Sequence, residues 1–148
     1  MADYYNRMTV DVSRRPVGFL LEKANERVPF SEATAILDNG CGPGPIMGRL
    51  LQDYDIPDSA AITCADFSEG MIKQVHKRQE EAVKADGKSP WSRVETLVQD
   101  AMNLDKIEDG SKSHVTAGWV GHFEIRSRAR TDVRAGLLHD ARSPEVSY

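Results

Sequence analysis

A chain of 148 residues is long enough for one domain with its own core and too short for two. Apolar residues at 40% and charged residues at 28% exclude disorder throughout, and no run reaches the roughly 18 to 20 consecutive apolar residues of a membrane helix. The formal net charge of -4 has the wrong sign for a general binder of nucleic-acid phosphates, so the expected partners are small molecules, with no nucleic acid and no membrane.

The polar opening Met1–Arg7 carries an acid at Asp3, unlike a secretory signal or an acid-poor transit peptide, and a cytoplasmic protein is expected. The two cysteines, Cys41 and Cys64, have no second pair and no histidine at metal-ligand spacing. Both are read as reduced thiols, and no metal site is expected.

Residues 17–27 read as a helix with Phe19, Leu20, Ala24 and Val28 near one face, ended by Pro29. The apolar run 33–37 is a buried strand that ends at Asp38-Asn39 and a burst of glycines. From Pro45 to Tyr54 a second helix points Ile46, Leu50 and Leu51 inward, with Pro45 in its first turn, where a missing amide hydrogen costs little. Residues 60–65 form a second strand, closed by Asp66. A long helix follows over 69–85, with Met71, Ile72, Val75, Ala82 and Val83 inward and Gly87 as its stop. A third strand spans 94–98 and leads to Gln99-Asp100, and a fourth spans 114–120. Strands alternating with helices imply parallel pairing through right-handed crossovers, hence an α/β, doubly wound sheet covered on both faces.

Beyond about Gly121 the pattern breaks. Residues 121–148 hold five arginines and no lysine, whereas residues 1–120 hold seven of each. The domain is therefore expected over 1–120, with 121–148 an atypical Arg-rich tail. That tail reads as a solvated helix, as a disordered extension, or as the product of a reading frame shifted near Val120.

The strongest local signal is Asp38-Asn39-Gly40-Cys41-Gly42-Pro43-Gly44, set between a strand and a helix. Such a loop lets a ligand approach bare backbone and opens onto a helix N-terminus. A dinucleotide fingerprint requires a glycine where Pro45 stands, and a phosphate-binding P-loop requires a lysine, of which there is none between Lys23 and Lys73. An acid two residues before three alternating glycines resembles motif I of the class I S-adenosyl-L-methionine (SAM) dependent methyltransferases. The resemblance runs from about Tyr5 to Val120 and is greatest to small-molecule enzymes, including those of fungal secondary metabolism.

It implies a Rossmann-like sheet forming the N-terminal half of a seven-stranded fold. Asp38 would meet the cofactor's amino group, and the loop Gly40, Cys41, Gly42 and Gly44 would pass under its methionine part. Asp66-Phe67-Ser68-Glu69-Gly70-Met71 resembles the motif II region, which implies that Asp66 holds the ribose while Phe67 and Met71 wall the adenine. After the third strand, Asp100 and the amide of Ala101 would read the adenine edge. Tyr4 and Tyr5 are candidates for a lid.

Family members commonly carry an acid at the start of strand four, where this chain has Ser113-His114. His114 is a candidate general base by its chemistry, but it stands at the strand's entry. No catalytic residue is assigned. Strands five to seven, and the acceptor pocket their loops help to build, are not legible in the tail. The expected function is methyl transfer to a small acceptor, with a dimer as one way of completing the fold. The alternatives are a noncatalytic SAM-binding regulator and a nonfunctional truncated product.

Overall fold

The computed structural model describes the backbone of residues 16–119 and 122–127. Tyr4, Tyr5 and the tail beyond residue 127 lie outside the described residues. The elements in chain order are α1 (16–27), β1 (Ala35–Asn39), α2 (Pro45–Asp53), β2 (Ala61–Asp66), α3 (Glu69–Ala85), β3 (Val94–Val98), β4 (His114–Trp119) and β5 (His122–Ser127). Two short 3-10 turns, Phe30–Glu32 and Pro90–Arg93, lead into β1 and β3.

The sheet has the order β3-β2-β1-β4-β5, parallel across the first four strands. Because the chain starts at β1, moves one way to β3 and then jumps back past β1 to β4, the winding reverses between β1 and β4. That reversal defines a doubly wound, Rossmann-like sheet and leaves a crevice at the carboxyl ends of the strands. Central β1 is buried along Ala35–Asp38, as a strand flanked on both sides should be. β3, a sheet edge, exposes Glu95 and Val98.

One buried cluster holds the helices to the sheet. Val17 and Leu21 of α1, Ile46, Met47 and Leu50 of α2, and Ile72 and Val75 of α3 pack with Ile36, Ile62, Cys64 and Val94. Ile36, Ile62 and Val94 are register neighbours, and Cys64 lies two residues beyond Ile62, so all four belong to one face of the sheet. Among the described residues all three helices therefore cover that face. The opposite face, with Leu37, Thr63 and Ala65 buried, is the side to which a right-handed crossover takes the β3–β4 connection, a series of turns over 99–113.

Several sequence expectations change in detail. The first strand starts and ends two residues later than expected, because Asp38 and Asn39, read as turn residues, remain in the ladder opposite Cys64 and Ala65. Helix α1 buries Val17 and Leu21 rather than Phe19, which is 59% exposed under the ammonium of Lys23. Positions 17, 21, 24 and 28 share a helical period as good as the one anticipated, and the larger aromatic obscured it. Met47 joins Ile46 and Leu50 on the buried side of α2, and Leu51 is half-buried against the same cluster. A fifth strand, absent from the sequence reading, lies within the Arg-rich segment and pairs antiparallel with all six residues of β4.

Candidate cofactor site

The loop from β1 to α2 owes its path to three glycines with positive φ, Gly40 at 69°, Gly42 at 55° and Gly44 at 82°. Side chains rarely adopt that region. The surroundings differ between positions. A β-carbon on Gly44, the residue capping α2, would stand 3.4 Å from the indole of Trp91 and 3.6 Å from Val75. A β-carbon on Gly42 would meet nothing within 4 Å. A β-carbon on Gly44 would thus rest in ordinary contact, and its φ is what calls for glycine, whereas Gly42 presents bare backbone to open space.

Hydrogen bonds tie this loop to its neighbours. The amide of Cys41 donates to the carbonyl of Ala65 at 2.9 Å, and the amide of Gly42 donates to Oδ2 of Asp66 at 2.9 Å. Oδ1 of Asp66 accepts from the amide of Ser68 at 2.9 Å. Each oxygen keeps accepting capacity, as a group that holds two hydroxyls requires. The backbone amide of Gln99 donates in turn to the carbonyl of Asp66 at 3.0 Å. The ends of β1, β2 and β3 are stitched into one rim, which brings together Asp38, the loop 40–44, Asp66 and the residues 99–101.

Asp38 is the most constrained member. It is completely buried, and its Oδ1 accepts from the hydroxyl of Thr116 on β4 at 2.8 Å. Its Oδ2 has no hydrogen-bond partner. Burial pushes its pKa up to about 7; the Thr116 hydroxyl and, less strongly, the nearby Met47 amide, which makes no bond of hydrogen-bonding geometry to it, oppose that rise, and the charge of Asp66 adds to it. An unpaired carboxylate oxygen in a dry setting fits a cationic donor such as the ammonium of SAM, and the uncovered backbone at Gly42 fits a ligand lying across the loop.

The remaining anticipated residues take varied positions. Phe67 is 75% exposed directly after β2, and Met71 is half-buried in the first turn of α3, where its amide meets the Ser68 cap. Asp100 is exposed and forms a turn, its Oδ1 accepting from the amide of Met102 at 2.9 Å. Cys41 faces inward: its thiol is buried, donates to the carbonyl of Gly42 and contacts Cys64, so the side of the loop open to a ligand is backbone. The hydrogen bond that the Cys64 thiol donates to Cys41, together with burial, raises the Cys64 thiol well above its ordinary pKa. His114 is buried at the amino end of β4, against the ring of Phe30 and the carbonyl of Val28. It belongs to the core.

The sequence reading missed Thr116, Asn39 and Gln99. Asp38 Oδ2, Asn39 Oδ1 and Gln99 Oε1 are buried and unpartnered, and all three belong to the carboxyl ends of β1 and β3. A polar residue at an interior strand position, such as Thr116 opposite Asp38, is the one signal that could have revealed part of this.

Comparison with known proteins identifies the family. The sequence pattern of the methyltransferase domain matches residues 36–136, more than half of the chain and the whole rim. The chain belongs to the methyltransferase domain family. The methyltransferase ucsB of an Acremonium species is 43% identical over 119 residues, covering 79% of this chain and 41% of that protein. A malonyl-[acyl-carrier protein] O-methyltransferase of Herminiimonas arsenicoxydans is 39% identical over 59 residues, covering 40% of this chain and 22% of its own length. The chain thus spans less than half the length of these curated relatives. A solved structure, that of a proposed S-adenosyl-L-methionine-dependent methyltransferase from Methanococcus maripaludis, superposes with a TM-score of 0.56 at 21% identity over 77% of this chain and 48% of that one. The fold described above is therefore the amino-terminal part of the class I methyltransferase fold, whose cofactor is SAM.

Proposed function

We propose that this chain binds SAM along the rim formed by Asp38, Gly40, Cys41, Gly42, Gly44, Asp66, Phe67, Met71, Asp100 and Ala101, and acts in methyl transfer to a small-molecule acceptor of secondary metabolism in the cytoplasm. The observation that carries this reading is the buried, unpaired Oδ2 of Asp38 beside the uncovered backbone of Gly42. Asp38 accepts from the methionine ammonium, the loop supports the methionine chain, and Asp66 accepts from the ribose hydroxyls. The Phe67 ring and the Met71 side chain cover the adenine, whose edge meets Asp100 and the Ala101 amide. SAM supplies an activated methyl group, so the protein's task is to hold the acceptor in line and exclude water. In this reading residues 1–120 carry the cofactor unit, and β5 extends its sheet beyond β4.

Calorimetric titration with SAM tests the binding step. Saturable binding is expected, and no heat and no thermal shift at millimolar SAM would overturn the reading. A second reading, cofactor binding without turnover, is favoured by one observation: His114, the base candidate named from the sequence, is buried at the amino end of β4, away from the rim. Transfer of labelled methyl from SAM to a panel of phenols, amines and carboxylic acids separates the two. Label in any acceptor excludes the noncatalytic alternative.

A further inference from the structure

Two primary amides with no role in the resemblance hold the turn that carries Asp100 and Ala101. Asn39, the last residue of β1, donates from Nδ2 to the carbonyl of Ala101 at 3.3 Å. Gln99 donates from Nε2 to the carbonyl of Asn103 at 3.0 Å. The turn between them is closed by the amides of Met102 and Asn103, which donate to Oδ1 and to the carbonyl of Asp100 at 2.9 and 3.0 Å. Each side-chain amide thus uses its donor end on the turn, while its oxygen is buried without a partner. Turning either amide over would set oxygen against a carbonyl, so the donor end is what the turn demands. Gln99 is 95% buried, being 5% exposed, which leaves its amide little freedom to find another partner.

Asn39 has a second property. It directly precedes Gly40, so one residue joins the glycine loop by its backbone to the Asp100 turn by its side chain. We propose that Asn39, with Gln99, is a positioning residue that fixes Asp100 and Ala101 to recognise a 6-aminopurine, and so sets the preference for an adenosyl over an inosyl cofactor. The inference rests on the SAM reading above. A 6-aminopurine offers an amine to the carboxylate and a ring-nitrogen acceptor to the amide. A 6-oxopurine offers a carbonyl and an N–H instead, both mismatched. Rejecting the second base requires that the two protein groups cannot move aside. The Nδ2 and Nε2 bonds supply that rigidity, while the methionine end of the site depends on Asp38 and Gly42.

The test is calorimetric titration of the full chain with S-adenosylhomocysteine and S-inosylhomocysteine, in wild type, Asn39→Leu and Gln99→Met. The wild type is expected to favour the adenosyl compound, and each variant to lose about fivefold of that ratio, with inosyl affinity changed less than about twofold. Equal weakening of both compounds, or an unchanged ratio, overturns the proposal and leaves the SAM reading standing. Absence of wild-type binding overturns both. Should Asn39→Leu not fold, Asn39→Ser and hydrogen exchange decide: faster exchange of the Met102 and Asn103 amides with the Gly44 amide unchanged is expected, and unchanged exchange refutes it.

Discussion

The amide of Gly42 donates to Oδ2 of Asp66 at 2.9 Å, so the acid that ends β2 holds the loop that follows β1. In the proposed reading the carboxylate that shapes the loop is also the one that takes the ribose. Replacing Asp66 by Ala leaves the amides of Gly42 and Ser68 without acceptors, at a cost of about 1–3 kcal/mol in stability, and weakens SAM binding roughly 100-fold. Denaturant unfolding and calorimetry measure the two effects, and unchanged affinity would remove Asp66 from the site.

Gly42 and Gly44 are expected to respond in opposite senses. Gly42→Ala places a β-carbon in open space at φ 55°, so it destabilises by about 1–2 kcal/mol through backbone strain alone, yet weakens SAM binding at least tenfold, by about 1.4 kcal/mol. Gly44→Ala, at φ 82° farther from the left-handed region that side chains tolerate, unfolds at lower temperature than Gly42→Ala. Thermal melts with and without SAM display this crossed pattern; a larger binding defect in a still-folded Gly44→Ala contradicts it.

The buried Asp38 makes stability and binding depend on pH in contrary directions. Its pKa rises from 3.8 in the unfolded chain to about 7 in the fold, so protonation favours the folded state; this contribution is full below pH 3.8 and is lost as pH rises through about 7. A cationic ligand needs the ionised form. SAM affinity therefore rises by up to about tenfold per unit below pH 7, and falls again above about 8 as the ligand's amino group loses its proton. In Asp38→Asn the dependence below pH 7 disappears and affinity is low throughout. Proton release on binding at pH 6, read by calorimetry in two buffers, checks the sign, and proton uptake there would refute it.

His114→Ala removes a buried ring packed on Phe30 and costs about 2–4 kcal/mol of stability. Where the variant is folded, the pH profile of any methyl transfer should match that of the wild type. A lost acidic limb in that profile, where activity rises as a base gives up its proton, would return His114 to the chemistry.

What the sequence discloses follows from which signals are local. Helix α3 was legible to the residue, because its seventeen positions keep one period and Ser68 caps its start. Asp38, Asp66 and Asp100 stood out because acids punctuate otherwise apolar strand ends. Asn39 and Gln99 did not: a primary amide beside a turn looks like any turn residue until its hydrogen-bond partner, four to 62 residues away, is known. Strand β5 escaped notice although His122, Phe123, Glu124, Ile125 and Arg126 alternate polar and apolar, because the arginines around it dominated the composition. The side of α1 that packs was ambiguous because two faces carried apolar residues, and only the sheet decides between them.

Trp91 also has a spectroscopic consequence. Its indole lies 3.4 Å from where a β-carbon on Gly44 would stand, with the guanidinium of Arg78 5.9 Å from the ring. The chain contains two tryptophans, so Trp119→Phe leaves this single fluorophore beside the glycine loop. Rearrangement of the loop alters the electric field at that ring, and the protein thereby carries an intrinsic optical probe of its glycine turn.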